Sequence, residues 1–255
     1  MIRITFLLFA GLIVTSCSNG QYTPASVFAH NDYVRPIPFY AAYDLQVGFI
    51  EADVFLIDGE ILVAHHIREI DKEKTLEALY LKPLLKVINK NRGSVYDDPR
   101  RTLTLMVDLK TEGVATLEAV VSQLEKYTEL LSCPSLRFMI SGNVPDPDRW
   151  PEYPSYITFD GRPGIAYTPD QLKRVSMIST SFSQHSKWNG KDKIPDDELK
   201  KIGKLMEEVH AKGKQIRFWA TPDFDIAWKE LMRLKMDVIV TDDVVGLTEF
   251  LKLQK

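Results

Sequence analysis

Phe49-Ile50-Glu51-Ala52-Asp53-Val54-Phe55-Leu56-Ile57-Asp58-Gly59-Glu60-Ile61-Leu62-Val63-Ala64-His65-His66 is the stretch that decides the fold. Its apolar, β-prone opening reads as a strand, Asp58-Gly59 as a tight turn, and Ile61 to Ala64 as the returning arm of a hairpin. Glu51 and Asp53 stand two residues apart, so an extended chain puts both on one face. Two acids on a strand that otherwise reads as buried are unfavourable unless something positive compensates them. Either each pairs with a buried Arg or Lys, or the strand sits at an edge, or together they hold a cation. Asp108-Leu109-Lys110, closing the apolar run Leu103 to Leu109, repeats the same spacing. Three oxygen ligands without thiolates favour Mg²⁺ or Ca²⁺ over zinc.

Outward from this core, strand-like and helix-like stretches alternate. Val27-Phe28-Ala29 reads as a first strand with His30 at its end, and residues 39–47 as a helix. Helical spacing over 76–89 is interrupted by Pro83. A strand is predicted at 103–109, a helix at 114–131, and strands at 136–141, 156–159 and 175–179. An amphipathic helix at 196–211 stops at Lys212-Gly213. A strand at 215–220, a helix at 225–234, a strand at 237–241 and a helix at 245–253 complete the chain. Parallel strands with helical connections point to an α/β barrel or a large doubly wound sheet in a single domain.

Composition narrows the function. The 255-residue chain carries 32 basic against 35 acidic side chains and a net charge of −3, so it has no basic excess to suit nucleic acid. After Arg3, the apolar run Ile4 to Val14 is too short to span a bilayer as a mature helix, and it closes on Val14-Thr15-Ser16-Cys17. That ending resembles the bacterial lipoprotein processing box; an ordinary secretory signal cut near Ser18 or a chain with an apolar start are the alternatives. The expectation is a signal peptide over 1–17 ending at lipidated Cys17, a polar tether over 18–25, and one catalytic domain over 26–255. Such a protein would sit in a bacterial cell envelope, lipid-anchored in the periplasm or at the outer membrane or cell surface. Cys133 is then left without a partner and reads as a buried thiol.

The order of these fragments resembles the glycerophosphodiester phosphodiesterase and phosphatidylinositol-specific phospholipase C superfamily. The fragments are His30, Glu51-x-Asp53, Asp58-Gly59 with Val63-Ala64-His65, Asp108-x-Lys110, residues 213–221 around Trp219, and Met236-Asp237-Val238-Ile239-Val240-Thr241-Asp242. The resemblance covers nearly the whole of the chain after residue 17. It departs from the glycerophosphodiesterases at His30-Asn31-Asp32, where an arginine is usual after the histidine; Arg35 is the substitute on hand. Asp108 likewise stands where those enzymes have Glu. Both features look more like the sphingomyelinase-D-like phospholipases of the same superfamily.

The resemblance implies a (β/α)₈ TIM barrel with its site at the C-terminal strand ends. It further implies a metal-dependent phosphoric diester hydrolase acting as a monomer on glycerophosphodiesters or phospholipid headgroups. His30 and His65 would be the acid–base pair, with His66 the alternative to His65. Glu51, Asp53 and Asp108 would hold one divalent cation, Mg²⁺ or Ca²⁺, and Lys110, Asn31, Trp219 and Arg35 would meet the substrate. A lyase releasing a cyclic phosphate, or a surface lipoprotein that binds a phosphorylated headgroup without turnover, are the competing readings.

Overall fold

A computed structural model describes residues 22–254. Eight parallel strands form a nearly closed barrel: β1 (Val27–Ala29), β2 (Phe49–Ile57), β4 (Leu103–Leu109), β5 (Leu136–Gly142), β6 (Ile157–Gly161), β7 (Val175–Ser181), β8 (Gln215–Trp219) and β9 (Ile239–Thr241). The order around the sheet is β8-β7-β6-β5-β4-β2-β1-β9, and β3 (Glu60–Val63) pairs antiparallel with β2. The fold is a (β/α)₈ TIM barrel, as expected.

The barrel register matters for the site. β2 and β4 pair from Phe49↔Thr104 to Val54↔Leu109, which sets Asp53 opposite Asp108. Beyond that level β2 runs on into its hairpin, with Asp58 at φ 51° and Gly59 at φ 82° forming the two-residue turn. The chain then returns, and the Ala64 N–H donates to the Asp53 carbonyl at 3.2 Å, so His65 comes back to the height of the acids.

No ladder closes the barrel between β8 and β9. Side chains bridge that seam instead. Asp237 accepts from the Ile216 N–H at 2.7 Å below, and Asp223 accepts from the Asp242 N–H at 2.8 Å above. The buried Ile216 donor in particular needs such a partner where a sheet ladder fails.

Outside the strands lie α1 (Tyr40–Tyr43), α2 (Lys82–Lys90), α3 (Gly113–Leu124), α4 (Thr128–Leu131), α5 (Pro169–Arg174), α6 (Asp196–His210), α7 (Asp225–Arg233) and α8 (Val244–Leu253). Acids fill the first turn of α6 and His210 its last, matching the helix dipole. Between helices and sheet sits the main apolar core, which includes Cys133. A second, smaller cluster of Phe28, Met106, Met139, Met177, Val238 and Val240 fills the barrel interior. Burying a side chain of this size contributes roughly 1.5–3 kcal/mol, and the plug also gives the polar groups above it a dry floor.

Several elements differ from their sequence reading. The helix expected over 39–47 is the single turn α1, because Phe39 at φ 64° and Gln46 at φ 59° leave the helical region on either side. Pro83 does not break its helix: a π-helical turn over Glu77–Leu81 leads in, and the proline falls in the first turn of α2, where no N–H partner is required. The helix expected over 114–131 divides into α3 and α4 at Tyr127, whose ψ of 66° is not helical. α5 was not anticipated, although Thr168 and Gln171 form a capping box at its start.

The expected tether is not free where the structure describes it. Tyr22 donates to the Met236 carbonyl at 2.6 Å, and Gly48 N–H donates to the Pro24 carbonyl at 3.0 Å. A Cβ at Gly48 would lie 2.0 Å from the Ala25 carbonyl oxygen, so only glycine admits this contact. The expected signal segment and Cys17 lie outside the described residues, and no helix among those described is long and apolar enough to cross a membrane.

Candidate active site

Glu51, Asp53 and Asp108 converge at the C-terminal mouth of the barrel. Each offers a carboxylate oxygen within 4.8 Å of the others, a set compatible with one divalent cation. Period-two alternation puts Glu51 and Asp53 on the inner face of β2, and parallel register brings Asp108 beside them. The backbone under Asp108 is tight: Gly142 sits at φ 75°, and a Cβ there would come 2.6 Å from Asp108 Oδ1. Any other residue would push the carboxylate out of place.

The buried acids have cationic side chains beside them, as the pairing reading expects, and the set stays compatible with a cation. Lys110 Nζ lies 2.8 Å from Asp53 Oδ2 and 2.9 Å from Asp108 Oδ1, bridging them. Burial alone would lower the Lys110 ammonium, but Asp108 and Asp53 lift it above its ordinary value, so it stays charged. Glu51 Oε1 faces Arg217 Nη2 at 3.3 Å, and its Oε2 accepts from the Asn31 N–H at 3.2 Å. Burial raises the Glu51 carboxyl above the carboxylate range despite Arg217 and His30, which oppose the shift. Lys110, Arg217 and His30 offset the three acids in part, and the set remains compatible with a divalent cation.

Two histidines flank the acids, each with an acid behind Nδ1. His30 Nδ1 donates to Asp242 Oδ1 at 2.8 Å, while its Nε2 faces Glu51 Oε2 at 3.5 Å. Burial pulls the His30 imidazole down, but the Asp242 hydrogen bond and the charges of Glu51 and Asp242 together hold it above its usual value. In return His30 lowers the Asp242 carboxyl. His65 Nδ1 lies 3.3 Å from Asp53 Oδ2 and 3.2 Å from the Tyr33 hydroxyl. Tyr33 donates to Asp53 at 2.7 Å and reaches the Asn31 side chain at 2.8 Å, so it ties loop, acid and histidine into one unit. Burial first, then Asp53, pushes the Tyr33 phenol well above its ordinary value, which keeps it a donor.

A second polar group lies across the mouth on β6 and β8. Arg217 is 4% exposed and stacks 4.1 Å above the Phe28 ring, between Glu51 and Asp160, whose Oδ2 is 3.6 Å from Nη1. Its Nε has no partner among the described residues. Asp160 also accepts from Ser141 and Ser179 and from Arg162 Nη1 at 2.6 Å.

The structure thus brings His30, Asn31, Glu51, Asp53, His65, Asp108 and Lys110 together. Trp219 stands at the end of β8 beneath Arg162. Arg35 is occupied elsewhere: it donates to the carbonyls of His30 at 3.1 Å and Asp242 at 2.9 Å, and pairs with buried Asp32. It clamps β1 to β9 rather than offering free donors. His66 is exposed and caps a short 3₁₀ turn, its N–H bonded to Glu69 Oε2 at 3.2 Å. His210, at the end of α6, lies outside the site, bonded to Asp237 at 2.8 Å. Tyr33, Asp160, Arg162, Arg217 and Asp242 were not assigned site roles from sequence, although Arg217 and Asp242 lie in quoted fragments. Asp160-x-Arg162 and Arg217-x-Trp219 nevertheless carry the same two-residue spacing that exposed Glu51-x-Asp53.

The barrel fold is shared with a solved glycerophosphodiester phosphodiesterase, and two family models support a glycerophosphodiester-phosphodiesterase-like superfamily. Within it, residues 18–132 match a family model described as the AIM6-like phosphodiesterase domain, and residues 215–244 match that of the glycerophosphoryl diester phosphodiesterase family. Among curated relatives, the Altered inheritance of mitochondria protein 6 homolog of Arthroderma benhamiae is 26% identical, covering 87% of this chain and 82% of its own length. Altered inheritance of mitochondria protein 6 of Kluyveromyces lactis is also 26% identical, covering 88% of this chain and 72% of its own. A solved glycerophosphodiester phosphodiesterase from Parabacteroides distasonis superposes with a TM-score of 0.58 at 14% identity, over 90% of this chain and 97% of its own, a likeness of fold. These relatives correct one expectation. The curated ones are fungal and point to a eukaryotic protein, which overturns placement as a bacterial lipid-anchored envelope protein.

Proposed function

We propose that the protein hydrolyses phosphodiesters, of the glycerophosphodiester or phospholipid-headgroup kind, using one divalent cation, Mg²⁺ or Ca²⁺, and two histidines. The observation that carries this reading is the meeting of three carboxylates with an imidazole whose Nε2 points at them while Nδ1 is fixed by Asp242. Glu51, Asp53 and Asp108 would hold the cation through oxygen alone. Bound there, it would supply Lewis-acid charge to a phosphate oxygen and orient the substrate.

The chain's own residues do the rest. Lys110, held as an ammonium by two acids, places positive charge where a phosphate oxygen would develop negative charge. Because Asp242 fixes the Nδ1 proton, His30 exchanges its proton at Nε2, toward the acids. His65 is held at Nδ1 by Asp53 and Tyr33, which frees its Nε2 for the second transfer. One histidine takes the proton of the attacking oxygen and the other protonates the leaving one.

Phosphorus NMR of glycerophosphodiesters and phospholipids incubated with the protein in Mg²⁺, Ca²⁺ or EDTA tests this. The expected result is metal-dependent loss of the diester signal; a cyclic phosphate as final product would assign a lyase instead. Absence of turnover with either cation, or full turnover in EDTA, would overturn the reading.

A further inference from the structure

An aromatic face at a headgroup site is the usual place to hold a quaternary ammonium, since a cation within about 6 Å of the ring centroid is attracted to it. In this protein the Trp219 ring already carries two cations of its own. Arg162 Cζ lies 5.3 Å and Arg217 Cζ 5.8 Å from its centroid. A cationic headgroup arriving there would meet an occupied ring and two like charges.

Arg162 is also held in place. Its backbone N–H donates to the Tyr167 hydroxyl at 2.9 Å, and its Nη1 donates to Asp160 Oδ2 at 2.6 Å and to the Gly161 carbonyl at 3.0 Å. Every one of these side-chain bonds uses Nη1. Among the described residues, Nη2 and Nε have no partner, and the side chain is 35% exposed at the mouth. Asp160 does not cancel the charge, because one carboxylate serves both Arg162 and Arg217. The β6–β8 side therefore presents a fixed guanidinium with unused donors, the geometry that suits phosphate or carboxylate oxygens.

We propose that Arg162, braced by Asp160 and stacked on Trp219, binds an anionic oxygen-rich group on the substituent beyond the scissile phosphodiester and selects against trimethylammonium headgroups. This assignment rests on the phosphodiesterase reading of the same mouth and names its substrate class.

The test compares glycerophosphoinositol 4-phosphate, glycerophosphoglycerol and glycerophosphocholine with the full-length protein and its Arg162→Gln and Arg162→Lys variants. In the wild type, kcat/KM for the first should exceed that for the last by on the order of tenfold or more, chiefly through KM. Arg162→Gln should bring this ratio close to one, and Arg162→Lys should restore part of it. A ratio cancels any general loss of activity. A wild-type preference for glycerophosphocholine, or an unaltered ratio in Arg162→Gln, would overturn the proposal. Calorimetry of the same three ligands in EDTA gives the binding ratio without turnover. Should none of the three be hydrolysed with metal, the phosphodiesterase reading fails, while the binding ratio still decides the role of Arg162.

Discussion

Replacing Arg217 with Met tests how the buried charges of the barrel are balanced. The guanidinium side chain is 4% exposed, Glu51 5% and Asp160 0%, so water screens none of these charges well. Methionine preserves much of the volume over Phe28 but leaves two buried carboxylates without their shared cation. Removing one partner of a buried pair costs about 3–5 kcal/mol. At roughly 2–4 °C per kcal/mol for a domain of this size, the melting temperature should fall by on the order of 10 °C.

The loss should also depend on pH. The Glu51 carboxyl is raised by burial, with Arg217 the strongest opposing influence. A raised carboxyl favours the folded state below the unfolded carboxylate value of about 4.3, and that stability is lost as pH rises through the folded value. Without Arg217 the carboxyl rises further, so the gap between wild type and variant should widen from pH 5 to pH 8. Thermal and urea melts in EDTA at both pH values measure it. Adding Glu51→Gln to Arg217→Met should recover part of the loss, because one unpaired charge is then gone. A loss below about 1 kcal/mol at both pH values would show that these acids are not held by Arg217, and the electrostatic account of the site would fail.

Asp242→Asn should lower the His30 pKa by less than one unit, since Asp242 is 64% exposed and such a pair contributes only about 0.2–1 kcal/mol. His30 is raised in the fold, so its stabilising effect is present below the unfolded histidine value of about 6.5 and lost as pH rises through the folded one. The variant should therefore lose stability at pH 5–6 and little at pH 9, as read by NMR titration of the ring and by melts. Asp53→Asn should weaken Mg²⁺ or Ca²⁺ binding in calorimetry; unchanged affinity would mean that Lys110 and Arg217 alone compensate the acids. His30→Ala and His65→Ala should each reduce kcat by about 10²–10⁴-fold, while His66→Ala loses little. The reverse order for the two neighbours would place His66 rather than His65 in the site.

The candidate site was legible where chemistry lay within one strand. Glu51-x-Asp53 and Asp108-x-Lys110 announce themselves because extended backbone puts alternate side chains on one face, whatever the strand's neighbours. Asp160-x-Arg162 and Arg217-x-Trp219 carry the same local spacing, but only Trp219 of these four was assigned a role from sequence. Other contributions had no local signature. Asp242 meets His30 across 212 positions, and Tyr33 meets Asp53 from a loop that the sequence leaves unshaped.

Alternation, turn chemistry and helical spacing along the chain determined most strands, the hairpin and the α/β class, because those depend on neighbours two to four residues apart. The choice of barrel over doubly wound sheet came from the family resemblance. Which charge balances which was decided only by tertiary structure. Barrel closure and strand register place Arg217 between Glu51 and Asp160, turn Arg35 from the mouth to the β1–β9 seam, and set Asp53 against Asp108. Coulomb and hydrogen-bond energies depend on distances of a few ångströms between groups far apart in the chain, and sequence spacing does not encode those distances.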